Sequence, residues 1–270
     1  MTNDAVTNDA GRVAALEALI RLSRTLGRPE EDLVILAEGN TSVRLPGGRM
    51  LVKATGTSLA TAEETDFVEV DLHAYEALLA RTGATDSDVA EQLQAAVVGG
   101  SKRPSVESLL HAVCLTLPDV QFVAHTHPTA VNAVLCSARP ELLLGDLFPD
   151  QIVVLGRRPL LVPYVDPGLK LAQHVAERLF DDVGRSGRSP KVLYLANHGM
   201  FALGATADEV LQVTRMAVKV ARIVIASAAI GGPSYLSDSD AERIDTRPDE
   251  EHRRRLLEHL PASNAAGAVR

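Results

Sequence analysis

The chain has no tryptophan, and its 270 residues include only five phenylalanines and four tyrosines. An interior built from it must be aliphatic, and a hydrophobic content of 46% is ample for that. Two cysteines, Cys114 and Cys136, are too few for a disulfide framework or a cysteine-rich metal site. Both fall in apolar stretches that read as helices, where each is expected as a small buried hydrophobe. That usage, with no secretory signal at the N-terminus, predicts a reducing cytoplasm. A basic excess is also missing: the formal net charge is −8, which argues against a nucleic-acid partner. No long apolar run is uninterrupted. The best candidate, Val210 to Gly232, is broken by Arg215, Lys219 and Arg222 at near-helical spacing, so it reads as an amphipathic helix rather than a membrane span.

What is present is an alternation of strand and helix patterns. The first ten residues are polar and read as loosely ordered, and helical periodicity then runs from Gly11 to about Leu26, stopping at Gly27. "NTSVRLPGGRMLVKATG" predicts two strands around a turn, "DFVEVDL" a strand and "HAYEALLAR" a helix. A polar, glycine-containing connection follows. "RPSVESLLHAVCLTL" predicts a helix capped by Ser105, and "VQFVAHTHP" a strand closed by Pro128. "QIVVLG" and "PLLVPYV" read as short strands and "GLKLAQHVAERLFDD" as a helix. "SPKVLYLANHGMFALG" reads as strand, turn and strand before the long helix from about Ala207. A charged tail with a short helical pattern, "EEHRRRLLEHL", ends the chain. No linker divides it, so the expectation is one α/β domain over residues 11–246, with tails at 1–10 and 247–270. Its sheet should be mixed and flanked by helices.

Three stretches carry chemistry. In "VAHTHPTAV", His125 and His127 are two apart on a predicted strand, which places their imidazoles side by side. In "YLANHGMFALG", a tight turn at Gly199 presents His198 at the mouth of the sheet. In "RPSVESLLHA", Glu107 falls in the first helical turn, where the helix dipole favours a carboxylate. Three histidines leave a position open on a tetrahedral ion, as catalytic sites require. Imidazole ligation suits Zn²⁺ and also accepts Co²⁺ or Mn²⁺. His111, four residues after Glu107, is expected to brace its helix, and His73, His174, His252 and His259 carry no site argument. Spacing alone leaves open whether the three segments converge.

"EGNTSVRL", "VKATG", "RPSVESLLH", "AHTHPTAV" and "NHGMFALG", in that order, resemble the class II aldolase/adducin family from about Arg12 to Ile230. The resemblance implies a three-layer α/β/α sandwich around a mixed, largely antiparallel sheet. It implies a cyclic homotetramer with active sites near subunit boundaries and a small-molecule substrate. By position, His125, His127 and His198 match the family's metal ligands and Glu107 its acid/base. Gly39, Asn40, Thr55, Gly56 and Ser105 match the segments that cradle a sugar phosphate, with Thr57 beside them. Lys53 either adds a positive charge there or is a solvated residue at a strand end. The family's sugar-phosphate aldolases carry a second serine where this chain has Val106, which removes one donor and leaves a substrate carboxylate as the alternative anion. The implied activity is reversible aldol cleavage through a metal-stabilised enediolate. Decarboxylation and dehydration on the same fold are alternatives. Epimerisation of a ketopentose phosphate is disfavoured because that branch has aspartate where Glu107 stands. A non-catalytic, adducin-like module would not need all three histidines and the glutamate.

Overall fold

The structure is a computed structural model and describes residues 3–258. Its centre is one eight-stranded sheet. The strands are β1 (Asn40–Leu45), β2 (Arg49–Lys53), β3 (Phe67–Asp71), β4 (Val97–Gly99), β5 (Phe122–Thr126), β6 (Leu160–Val162), β7 (Val192–Leu195) and β8 (Gly199–Gly204). They lie in the order β4-β3-β2-β1-β5-β8-β7-β6. Every pairing is antiparallel except β6 with β7, so the sheet is mixed and largely antiparallel, as expected.

Alternation along the strands builds the layers. On β8, Phe201 and Leu203 face one apolar cluster, while Met200 and Ala202 face the other. The first face is covered by α2 (Leu72–Leu79), α3 (Asp86–Ala95), α4 (Ser108–Leu115) and α7 (Leu169–Ser186). The second is covered by α1 (Asn3–Leu26), α5 (Thr129–Leu135), α6 (Pro149–Leu155) and α8 (Ala207–Ala228). This is the expected three-layer α/β/α sandwich. Among the described residues, no helix is long and apolar enough to cross a membrane.

Several elements differ from the sequence reading. α1 begins at Asn3, within the segment expected to be loosely ordered. "QIVVLG" is the helix α6, not a strand. Pro149 starts it, Gly156 at φ 68° ends it, and Ile152 and Leu155, one turn apart, bury the same face. The polar connection contains α3, opened by a reciprocal capping pair of Thr85 and Asp88, and the short strand β4. α4 begins at Ser108 rather than just after Ser105; the Ser105 hydroxyl instead accepts from the Glu107 N–H at 3.3 Å. Cys114 is buried as expected, but Cys136 is exposed at the C-terminal end of α5. Two further helices, α9 (Asp238–Asp245) and α10 (Pro248–Glu258), follow α8. α10 packs back on this chain's own α6 and α8, and Arg253 pairs with Asp150 of α6. His259 lies outside the described residues.

Candidate metal centre

β5 lies between β1 and β8, and its register places Asn40 and Phe201 on either side of His125. The His125 ring is fully buried and stacks on Phe201, with centroids 4.2 Å apart and planes 15° apart. Its Nδ1 is 3.0 Å from the Met200 carbonyl. A carbonyl only accepts, so Nδ1 carries a hydrogen, which turns Nε2 toward His127 and Glu107. His127 falls one residue beyond the strand end, where its backbone N–H donates to the Leu33 carbonyl at 2.9 Å. The strand reading of the pair nevertheless holds in its consequence: the two Nε2 atoms are 2.9 Å apart.

His198 is carried by the β7–β8 hairpin, with its backbone carbonyl held by the Asn132 side-chain amide at 3.0 Å. The hairpin's left-handed residue is Asn197, at φ 57°, rather than Gly199. Glycine is required at 199 for another reason. A Cβ there would lie 2.5 Å from His127 Cδ2 and 2.7 Å from the Thr126 carbonyl. Glu107, just before α4, brings Oε1 to 3.1 Å from His198 Nε2 and 3.5 Å from His125 Nε2. Its Oε2 accepts from the Asn40 amide at 2.5 Å.

The outcome is one cluster: Glu107, His125, His127 and His198 each present a ligand atom within 4.8 Å of the others. His125 closes the inner end, while the side chains of His127, Glu107 and His198 are 18%, 20% and 14% exposed and open it to solvent. Burial, with repulsion from His125 and His198, pushes His127 down to about 4. It is therefore neutral at pH 7, the form in which imidazole binds a metal. Burial raises Glu107, but His125 and His198 outweigh that and hold its carboxyl well below the usual range. The imidazoles thus reverse the upward shift that burial alone would give an acid/base carboxylate. A donor set of three imidazoles, the His125 ring oriented by the Met200 carbonyl, and one carboxylate fits a divalent ion of the Zn²⁺ type.

The expected anion cradle is arranged differently from the cluster. Lys53 is not a solvated strand-end residue: it is 1% exposed, and its ammonium donates to Thr57 O at 2.5 Å, Ala54 O at 3.4 Å and Ala37 O at 3.5 Å. Burial lowers it to about 8. The Thr55 N–H donates to Arg103 O at 3.0 Å, and the Thr57 hydroxyl to Ala54 O at 2.9 Å. Gly39, at φ 72°, passes so close to β5 that a Cβ would lie 2.8 Å from the His125 carbonyl. His111 braces α4 against the sheet rather than within itself, its Nδ1 2.8 Å from the Ser42 hydroxyl. Sequence reasoning did not find Glu38, whose Oε2 is 3.6 Å from His127 Nδ1, nor the roles of Asn132, Phe201 and the Met200 carbonyl. Glu38 opens "EGNTSVRL", a stretch that carries the family resemblance, and so has a signal; the others depend on strand register and on helix packing.

Comparison with known proteins agrees with this architecture. A sequence model of the class II aldolase and adducin N-terminal domain matches residues 17–225. An uncharacterized oxidoreductase of Bacillus subtilis, YuxG, is 30% identical over 219 residues, which is 76% of this chain. The chain spans only 29% of that relative's length. A 3-oxo-tetronate 4-phosphate decarboxylase of Haemophilus influenzae is 24% identical over 241 residues, covering 87% of this chain and 98% of the relative. Among solved structures, an L-fuculose 1-phosphate aldolase superposes with a TM-score of 0.66 at 22% identity, covering 86% of this chain and 94% of the other. The chain belongs to the class II aldolase and adducin N-terminal domain family.

Proposed function

We propose that the chain is a divalent-metal-dependent carbon–carbon lyase that reversibly cleaves a small hydroxylated keto compound by an aldol mechanism. The observation that supports it is the convergence of three imidazoles and one carboxylate within 4.8 Å. In this reading His125, His127 and His198 hold the ion, with Zn²⁺ the proposed metal. A divalent ion there supplies Lewis-acid stabilisation of the charge that develops on substrate oxygens. Glu107 handles the proton. In the addition direction its carboxylate takes a proton from the carbon beside the ketone, and in cleavage it returns that proton to the same carbon. The ionised form that the neighbouring imidazoles favour suits the base role. Asn40 holds Oε2 and so fixes the rotation of the carboxylate. Gly39, Thr55, Gly56 and Ser105 line the substrate side, and Lys53 supports it from beneath through the Ala37, Ala54 and Thr57 carbonyls. We also propose a cytoplasmic homotetramer with sites near its subunit boundaries, built on a domain over residues 11–246.

The Haemophilus influenzae relative favours a second reading, metal-assisted decarboxylation of a keto acid. Both reactions leave an electron pair beside a carbonyl, but only aldol cleavage releases an aldehyde. The test loads the protein with Zn²⁺, Co²⁺ or Mn²⁺ and offers hydroxyketones with aldehydes, and separately keto acids. Addition product by NMR, lost in Glu107→Gln while metal is retained, is the expected result. Carbon dioxide release alone would replace the first reading with the second, and inactivity of the fully loaded protein on both would overturn the lyase.

A further inference from the structure

An imidazole that offers one nitrogen to an ion has a second pointing away, and the partner of that second nitrogen fixes the tautomer and the ring's orientation. For His125 the partner is the Met200 carbonyl. His127 brings Nε2 to 2.9 Å from His125 Nε2, so Nε2 faces the cluster and Nδ1 faces outward. There Nδ1 meets Glu38, whose Oε2 is 3.6 Å away. Glu38 is not one of the four clustered residues, so it stands behind His127 rather than beside it. The carboxylate is itself held. Its Oε2 accepts from the Ile35 N–H at 3.1 Å, and the Glu38 N–H donates to the Ile35 carbonyl at 3.0 Å, which folds the side chain back over its own turn. Leu36 in that turn sits at φ 53°, a left-handed conformation that costs an apolar L-residue about 1 kcal/mol or more and persists only where neighbours hold it. Such neighbours are present: the Leu33 carbonyl accepts from the His127 N–H at 2.9 Å, and Asp32 Oδ1 accepts from the Thr129 hydroxyl at 2.8 Å. The segment 32–38 therefore grips His127 by its backbone and faces its ring. At 3.6 Å the Glu38–His127 pair is just outside hydrogen-bond range, and a shift of about 0.5 Å, ordinary for side chains that are partly exposed, closes it.

We propose that Glu38 is a positioning residue of the metal centre: its carboxylate takes the Nδ1 hydrogen of His127, which leaves Nε2 free for the ion and ties the turn at 35–38 to metal occupancy. The inference rests on the proposed function only in taking His127 as a ligand. A carboxylate acceptor does more than the carbonyl behind His125, because its charge also raises the basicity of the imidazole it holds. That matters at His127, which lies on the side of the cluster open to solvent.

The test compares wild type, Glu38→Ala and Glu38→Gln in the full chain, by Zn²⁺ competition with a fluorescent chelator and by long-range ¹H–¹⁵N NMR of the His127 ring. The Glu38 side chain is 38% exposed, so neither substitution opens the core. Zn²⁺ affinity should fall about 10- to 100-fold in Glu38→Ala. Glu38→Gln, whose amide oxygen still accepts, should fall between that variant and wild type. Metal-free wild type should hold the His127 hydrogen on Nδ1, and metal-free Glu38→Ala should show a mixture of tautomers. Zn²⁺ should slow amide exchange at Ile35 and at residue 38 in wild type but not in Glu38→Ala. A carboxylate that only braces its own turn would lower stability and leave the tautomer where it was. Equal Zn²⁺ affinity in wild type and Glu38→Ala, or the same His127 tautomer in both metal-free proteins, would overturn the proposal. A wild type that binds no Zn²⁺ would instead overturn the metal reading, and the metal-free tautomers alone would then decide whether Glu38 sets the His127 ring.

Discussion

Phe201 lies flat against His125, with ring centroids 4.2 Å apart, and the same phenyl ring takes His111 edge-on at 5.3 Å. One buried aromatic on β8 thus orients the innermost imidazole of the candidate metal centre and packs against α4, which Glu107 immediately precedes. Shortening it to leucine keeps most of the volume, so the fold should lose only about 1 kcal/mol. The His125 ring would lose its flat support. Phe201→Leu is therefore expected to release metal to a competing chelator at roughly tenfold lower chelator concentration. Unchanged metal affinity would mean that the Met200 carbonyl alone fixes the ring.

Gly199 tests the packing of the pair more sharply. A methyl group there meets His127 Cδ2 at 2.5 Å and His125 Cε1 at 3.2 Å, so Gly199→Ala must displace one imidazole. The expected cost is about 1–3 kcal/mol in urea unfolding, together with weakened metal binding. Asn197→Gly, at the hairpin's left-handed position, should leave the metal affinity intact and serves as the control.

Lys53 ties two loops together through main-chain carbonyls, and Lys53→Met removes the donor while keeping the stem. Leaving Thr57 O and its neighbours without the ammonium should cost about 2–3 kcal/mol. Amide exchange should quicken in both the 33–39 and the 54–58 loops. Faster exchange in neither loop would show that the ammonium is not what holds them.

Buried His111 is pushed down from 6.5 to about 3, first by burial and then by repulsion from His125. Below pH 6.5 the unfolded chain therefore binds a proton that the folded one refuses. Stability from this group is complete above pH 6.5 and drains away as pH falls toward 3. His127, lowered to about 4, acts in the same direction in the metal-free protein. His111→Gln removes only the first contribution. The advantage of wild type over His111→Gln should narrow between pH 7 and pH 4.5, and parallel stability curves would contradict the assignment.

The His/Glu cluster was legible because its members are side chains in short, local patterns. Two histidines two apart at a strand end, one in a hairpin and a glutamate at a helix start converge through three adjacent strands and α4. What supports them was not legible. The Met200 carbonyl leaves no side-chain signal, and Phe201 reaches His125 only through the β5–β8 register. α6 was misread because Ile152, Val153 and Val154 form a β-branched run, while Pro149, Gly156 and packing on α8 decide for a helix. α3 escaped because only Val89 and Leu93 turn inward from an otherwise polar stretch. Cys136 reversed its expected burial, and of the two readings of Lys53 the solvated one failed, since neither spacing nor composition reports what another segment covers.

Elemental analysis of the purified protein, before and after His127→Ala, tests the central claim most directly. The account predicts about one divalent ion per chain in the wild type, lost in His127→Ala and retained in Glu107→Gln. A wild type that takes up no ion after exposure to Zn²⁺, Co²⁺ or Mn²⁺, or a His127→Ala variant that keeps it in full, would contradict the metal centre.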